Sequence, residues 1–179
     1  MNKRVITLPG KCRACHRCEV ACIAAHNDIS FKDAMKQRDK FPSAVTVIKT
    51  ESIKTSVRCH QCEDAPCCAI CPAGALQQRE SGEIETHEEL CIGCEMCVRA
   101  CPYGAIKAVA RTVTQSEKMI DRKKPCRCDL CREQGKDITA CMEACPVQAL
   151  ALEREDGSLL LVPAPERKAA KNADAAAAK

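Results

Sequence analysis

The chain has 179 residues and a formal charge of +4, with 18 cysteines, no tryptophan, one tyrosine and two phenylalanines. So few aromatic residues exclude a large apolar core as the main source of stability, and small domains of this kind lean on metals or cross-links. Cysteine at this density means either the disulfide scaffold of a secreted protein or a set of metal sites.

Met1-Asn2-Lys3-Arg4 leads into only a few apolar residues before Pro9 and Gly10, so no signal-peptide core and no twin-arginine pair is expected here. No apolar run approaches the roughly 20 residues of a membrane span. A reduced, cytoplasmic setting without a membrane span is therefore expected, although a partner with a signal could export such a subunit. Residues 12 to 22 then read Cys12-x2-Cys15-x2-Cys18-x3-Cys22, followed by Ile23. The interval from Ile23 to Arg58 predicts a helix and a hairpin. Val45 to Lys49 and Ile53 to Val57 are rich in β-branched residues, with Thr50-Glu51-Ser52 as the turn.

A second motif, Cys59-x2-Cys62-x4-Cys67-x3-Cys71-Pro72, precedes a third, Cys91-x2-Cys94-x2-Cys97-x3-Cys101-Pro102. The fourth is Cys128-x2-Cys131-x9-Cys141-x3-Cys145-Pro146. The last three share tails: Cys71-Pro72-Ala73-Gly74-Ala75-Leu76, Cys101-Pro102-Tyr103-Gly104-Ala105-Ile106 and Cys145-Pro146-Val147-Gln148-Ala149-Leu150. A phrase repeated three times at equivalent places indicates duplication of one unit. Proline after the fourth cysteine suits the first turn of a short helix carrying that thiolate. Hairpins are expected around Ser81-Gly82, between Ala75–Gln78 and Glu83–Thr86, and around Asp156-Gly157, between Ala149–Glu153 and Leu159–Val162. Lys107 to Pro125 is basic and reads as a solvated linker, or else as a docking surface for an acidic partner. From Pro163 the composition turns to Ala, Lys and Glu, marginal as an isolated helix and a candidate for docking or self-association.

The third motif is the bacterial-ferredoxin run, in which three close thiolates hold one 4Fe–4S cube and the fourth serves a neighbouring cube. Four motifs supply enough cysteines for four such cubes, leaving Cys68 and Cys126, each read first as a packing residue and otherwise as a surface thiol or an alternative ligand. Sixteen thiolates and four cubes would turn the apparent positive charge into about −4 overall. The 28 Lys and Arg then read mainly as compensation for buried anions rather than a nucleic-acid surface, and no base-stacking platform exists. Structural zinc usually shows two C-x2-C pairs or a pair with two histidines, whereas triplets with an x3-spaced fourth cysteine dominate here. The C-x3-C-x2-C triplet of radical enzymes is absent. Neither G-x-G-x-x-G nor a P-loop occurs, and no acid–base or nucleophile constellation stands out, so a non-catalytic chain is expected.

Swapping of fourth ligands leaves two wirings open on spacing: first motif with second and third with fourth, or a nested scheme pairing the inner two and the outer two. The long intervals favour nesting. Cys59-His60-Gln61-Cys62-Glu63-Asp64-Ala65-Pro66-Cys67 and Cys128-Asp129-Leu130-Cys131 bring a family into view. Over residues 3 to about 162 the chain resembles the four-cluster ferredoxin-like electron-transfer subunits of formate dehydrogenases, formate hydrogenlyase, dimethyl-sulfoxide-type molybdenum reductases and carbon monoxide dehydrogenase.

That resemblance implies an α+β fold of two ferredoxin-like modules with nested ligation, one formed by residues 1–58 with 107–162 and one by 59–106, followed by the tail 163–179. Cys12, Cys15, Cys18 and Cys145 would hold cluster 1, and Cys22, Cys128, Cys131 and Cys141 cluster 2. Cys59, Cys62, Cys67 and Cys101 would hold cluster 3, and Cys71, Cys91, Cys94 and Cys97 cluster 4. The resemblance implies a relay between a second redox subunit and a catalytic partner containing molybdenum or tungsten, as in formate dehydrogenases or aldehyde oxidoreductases. Nickel–iron–sulfur and hydrogenase partners are alternatives. The other reading is a free polyferredoxin, for example for carbon monoxide dehydrogenase or a hydrogenase. The chain departs from longer relatives in its short fourth-motif insert and its lack of an anchor.

Overall fold

The computed structural model describes residues 3–115, 118–132 and 138–163. In chain order the elements are β1 (Arg4–Thr7), α1 (Arg17–His26), α2 (Phe31–Lys36), β2 (Thr46–Lys49), β3 (Lys54–Val57), α3 (Pro66–Ala69), β4 (Leu76–Gln78) and β5 (Ile84–Thr86). Then follow α4 (Met96–Ala100), β6 (Lys107–Gln115), β7 (Lys118–Cys126), α5 (Ala140–Glu143), β8 (Leu150–Glu153) and β9 (Leu159–Leu161). Short helices and small sheets alternate, an α+β arrangement. The alanine-rich tail expected to dock or self-associate lies, beyond Pro163, outside the described residues.

The two ends of the chain meet. β1 pairs antiparallel with β8, placing Val5 opposite Leu152, and β9 completes a three-stranded sheet in the order β1-β8-β9. Arg4 faces Glu153 in this register and closes an ion pair with it at 2.6 Å. α1 packs against α5, and α3 against α4, so helices from distant motifs touch in pairs. Val5, Val45, Leu76, Ile84, Ile106, Leu150 and Leu152 form the main core together with Cys22, Cys59, Cys67, Cys128, Cys141 and Cys145. Sulfur thus supplies much of the volume that aromatic rings fill elsewhere.

The expected hairpins occur within a residue or so of their predicted bounds: β2–β3, β4–β5 with Gly82 at φ +79°, and β8–β9 with Gly157 at φ +78°. Lys107 to Pro125 is no linker. β6 and β7 pair over nine residues each, from Lys107↔Cys126 to Gln115↔Lys118. The charge run misled because Lys107 and Lys124 send their ammonium groups inward. Lys107 donates to the carbonyls of Ser43 and Val45, and Lys124 to those of Glu88 and Cys91. A lysine whose head is satisfied by carbonyl oxygens can lie along a strand.

The prolines also differ from expectation. The short helices α3 and α5 end before the fourth cysteine of their motifs, and Pro72 and Pro146 follow it in a turn. Gly74, Gly104 and Gln148 donate their N–H to the carbonyls of Cys71, Cys101 and Cys145 at 3.2, 3.2 and 3.4 Å. Proline fixes φ at the second position of such a turn, and the fourth residue becomes left-handed, at φ 59°, 58° and 49°.

Candidate metal centres

Turn geometry aims backbone N–H groups at sulfur. Closure of the three Cys-Pro turns leaves Ala75, Ala105 and Ala149 donating to the Sγ of Cys71, Cys101 and Cys145 at 3.2, 3.4 and 3.2 Å. This explains the repeated phrase, since its alanine sits where the N–H must reach back. At the front of each motif, the residue two after the first cysteine is left-handed: Ala14 (φ 52°), Gln61 (49°), Gly93 (80°) and Leu130 (62°). A residue with a side chain costs about 1–2 kcal/mol in that region, so its recurrence at one position marks a functional constraint. The N–H of Ala14 donates to Cys12 Sγ at 3.4 Å, and the backbones of Gln61 and Leu130 act likewise on Cys59 and Cys128. Successive inward N–H groups make an anion-binding concavity of the kind that holds iron–sulfur groups.

Four neighbourhoods of thiols result. Cys71 lines one cavity with Cys91, Cys94 and Cys97, and Cys145 lines another with Cys12, Cys15 and Cys18. The thiol of Cys62 feels the charges of Cys59, Cys67 and Cys101. Cys128 is close to Cys141 and Cys22, and Cys131 to Cys141. In the two cavities, three thiols of one motif meet one from another. The neighbourhoods also adjoin in sequence: Cys18 meets Cys141, and Cys97 meets Cys67. Gln61 spans the middle, donating to the carbonyl of Cys128 and accepting from the N–H of Ile84, both at 2.9 Å. Cys68 and Cys126 are half-buried against the main core.

Buried cations stand beside these thiols. Arg58 is 2 % exposed, bonds Ser56 Oγ and donates from Nη1 to Cys141 Sγ at 3.4 Å. Arg127 donates to Thr86 Oγ1 at 3.0 Å and to the carbonyls of Cys128 and Ile84, and its charge bears on Cys59 and Cys67. Neither makes an ion pair with a carboxylate among the described residues. A buried charge is normally paired or near a metal group, so these guanidiniums call for an anion that the thiol sets would carry once metallated. The individual arginines were not singled out in the sequence. A signal existed: both precede a C-x2-C pair, as Arg58-Cys59-x2-Cys62 and Arg127-Cys128-x2-Cys131.

Burial pushes the thiol of Cys18 up to about 12, partly offset by Arg58, and those of Cys97 and Cys131 up to about 11. Cys128 is raised well above its ordinary range for the same reason. Cys22 is the exception: burial pushes it up, but the hydrogen bond and charge of His26 bring it below its usual value. His26 bridges Asp129 Oδ1 at 2.9 Å and is held up to about 12, first by that bond and then by Cys22. Iron coordination deprotonates thiols outright, so loading these sites releases protons. The donor sets, inward N–H groups and unpaired cations fit an anionic 4Fe–4S group.

A profile described as a 4Fe-4S binding domain matches residues 84–107, which contain the third motif. The electron transport protein HydN of Escherichia coli (strain K12) is 41 % identical over 155 residues, covering 84 % of this chain and 87 % of HydN. An iron-sulfur protein of Rhodospirillum rubrum is 35 % identical over 156 residues, with 84 % and 82 % covered. AegA of Escherichia coli (strain K12), a much longer protein, is 39 % identical over 154 residues, covering 85 % of this chain but 22 % of AegA.

Proposed function

The chain belongs to the 4Fe-4S ferredoxin-like electron-transport proteins, and on that premise we propose that it is a relay subunit with four cubes in nested ligation. Cys12, Cys15, Cys18 and Cys145 hold cluster 1; Cys22, Cys128, Cys131 and Cys141 hold cluster 2. Cys59, Cys62, Cys67 and Cys101 hold cluster 3; Cys71, Cys91, Cys94 and Cys97 hold cluster 4. The observation that carries this reading is the gathering of Cys71 with Cys91, Cys94 and Cys97 around one cavity, the fourth thiol coming from another motif. The matching group of Cys145 with Cys12, Cys15 and Cys18 supports it.

A bound cube supplies reversible one-electron exchange, its potential set by charge, hydrogen bonds to sulfur and solvent exposure. The protein's part is to set those three levers. Ala75, Ala105 and Ala149 donate to sulfur, Arg58 and Arg127 supply positive potential, and burial keeps water away from Cys22, Cys128, Cys131 and Cys141. Cys15 and Cys94, by contrast, are exposed, which suits clusters 1 and 4 to exchange with other proteins. Exposed thiols at clusters 1 and 4, with cluster 2 buried, favour a relay between a catalytic molybdenum or tungsten subunit and a second redox subunit. The likeness to a fraction of the longer AegA supports a unit that works joined to other redox units. Among the described residues no helix is long and apolar enough to cross a membrane.

Anaerobic iron and sulfide analysis with electron paramagnetic resonance tests the cluster count. About sixteen irons per chain are expected, and fewer than about twelve would sink the four-cube reading. Purification from native cells tests the relay, since a chain recovered alone, without a stoichiometric redox partner, points to a free carrier.

A further inference from the structure

The cations fall into two kinds by position. Arg58 and Arg127 are buried and bear directly on thiols, and Lys124 is buried with its ammonium on the carbonyls of Glu88 and Cys91. Lys11, Arg13 and Arg17 are exposed and flank the exposed thiol Cys15 in sequence, Arg13 and Arg17 lining one cavity with it. From Lys3 to Cys18 the sequence contains Lys3, Arg4, Lys11, Arg13 and Arg17 with no Asp or Glu. Arg4 is neutralised by Glu153. The side chains of Lys11 and Arg13 make no hydrogen bond or ion pair among the described residues. Arg17 donates to the carbonyl of Ala144 at 3.2 Å and lies 4.9 Å over the Phe31 ring, keeping its charge in water and without a carboxylate partner among those residues.

Arg17 also ties α1 to the end of α5, but stability does not account for Lys11 and Arg13. Arg17 opens α1, where the positive end of the helix dipole disfavours a cation. An exposed, solvated cation is screened too strongly to compensate a buried anion as Arg58 can. The other exposed thiol has different surroundings: of the six Glu from Glu80 to Glu95, four pair with Arg79, Arg111, Lys123 and Arg132, so no unpaired cationic collar forms there. Around Cys94 the exposed neighbours are apolar, Leu90 at 45 %, Ile92 at 56 % and Met96 at 39 %.

We infer that Lys11, Arg13 and Arg17 around Cys15 form the docking surface for a small, acidic one-electron carrier protein. The inference rests on the proposed placement of cluster 1 at Cys12, Cys15, Cys18 and Cys145. Opposite charge steers such a carrier to this end. Redox encounters are small and short-lived, so charge steering rather than apolar burial suits them. The apolar surroundings of Cys94 suit a more lasting contact, which gives the two ends distinct partners.

Isothermal titration of the iron-loaded chain with a small, strongly acidic ferredoxin tests the surface. The Kd should weaken about tenfold between low and physiological salt, and about tenfold at low salt in K11E/R13E, whose iron content and paramagnetic spectrum should match the parent. An unchanged Kd in that variant, or a salt-independent Kd in the parent, overturns the proposal. Should K11E/R13E lose iron, K11Q/R13Q and the salt series on the parent decide instead. Tighter binding of a single-stranded RNA oligonucleotide than of the ferredoxin also overturns it. A fully loaded chain that ignores the ferredoxin defeats only the docking surface, whereas a chain short of iron defeats the cluster reading.

Discussion

Arg58 donates from Nη1 to the sulfur of Cys141 at 3.4 Å, tying the residue in front of the second motif to a thiol of the fourth. Its Nε is buried with no partner among the described residues. Replacing it with methionine should leave the iron-free chain no less stable, because an unpaired buried charge is removed. In the loaded chain R58M should lower a midpoint potential by on the order of 60 mV, a factor of ten for one electron. Redox titration followed by paramagnetic resonance checks this, and unchanged potentials would show that the guanidinium does not act on a cluster.

Ligand exchange between motifs makes a positional prediction. Cys101 lies near Cys62 in the neighbourhood of Cys59 and Cys67, away from the cavity shared by Cys91, Cys94 and Cys97. Cys101→Ser should therefore disturb the cube at Cys59, Cys62 and Cys67, and Cys71→Ser the cube at Cys91, Cys94 and Cys97. Mössbauer and resonance spectra of the two variants should differ; a C101S protein altered only at its own motif's cube would contradict nested ligation.

Gly93, left-handed at φ +80°, lies hard against the backbone of a neighbouring strand. A Cβ there would lie 3.0 Å from the carbonyl oxygen and 3.4 Å from the nitrogen of Lys123 in β7, atoms that cannot swing aside. Gly93→Ala should cost about 1–3 kcal/mol through strain and displacement of the hairpin. Denaturant titration of the loaded chain measures it, and a loss below about 0.5 kcal/mol would mean that the loop and β7 separate freely.

Iron removal exposes a pH dependence. Burial raises Cys18 from 9.0 to about 12 and Cys97 and Cys131 from 9.0 to about 11. Between those limits the folded iron-free chain binds protons that the unfolded chain has lost, so its stability is full below pH 9 and falls as pH rises toward 12. The denaturation midpoint of the reduced, iron-free chain should drop across this window. The loaded chain, whose thiols are already deprotonated, should show much less of this fall, and a flat midpoint in the iron-free chain would refute the burial argument.

Cys68 stands beside Cys67, Cys59 and Cys71, and Cys126 beside Cys22, yet both lie outside the four repeated motif spacings and also pack against the core. Cys68→Ala and Cys126→Ala should each retain the parent's iron. A loss of about four irons from either would make that cysteine a ligand.

Hairpins were legible where β-branched runs flanked a short polar turn, as in β2–β3, or where Ser-Gly or Asp-Gly marked the turn itself. The cysteine motifs were legible because ligation fixes their spacing. The β6–β7 hairpin was hidden by its lysines, whose heads lie on carbonyls that only the folded chain brings near. Nothing in the chemistry of Ala14, Gln61 or Leu130 announces a positive φ; the requirement to turn an N–H toward the preceding cysteine imposes it. Prolines after Cys71, Cys101 and Cys145 fit a helix start and a turn equally well by φ alone, and the N–H that must reach back to sulfur selects the turn.

The pairing of β1 with β8 has a consequence for biosynthesis. On the proposed ligation, Cys12, Cys15 and Cys18 leave the ribosome first yet wait for Cys145, well over a hundred residues later. Cys59 through Cys101 emerge as a complete set in between, so the inner cubes can be inserted while the chain is still growing. The motif made first is finished last. The strand at Arg4–Thr7 has no partner strand until Leu150–Glu153 is made, so the sheet that Arg4 closes on Glu153 is among the last parts of the described fold to form.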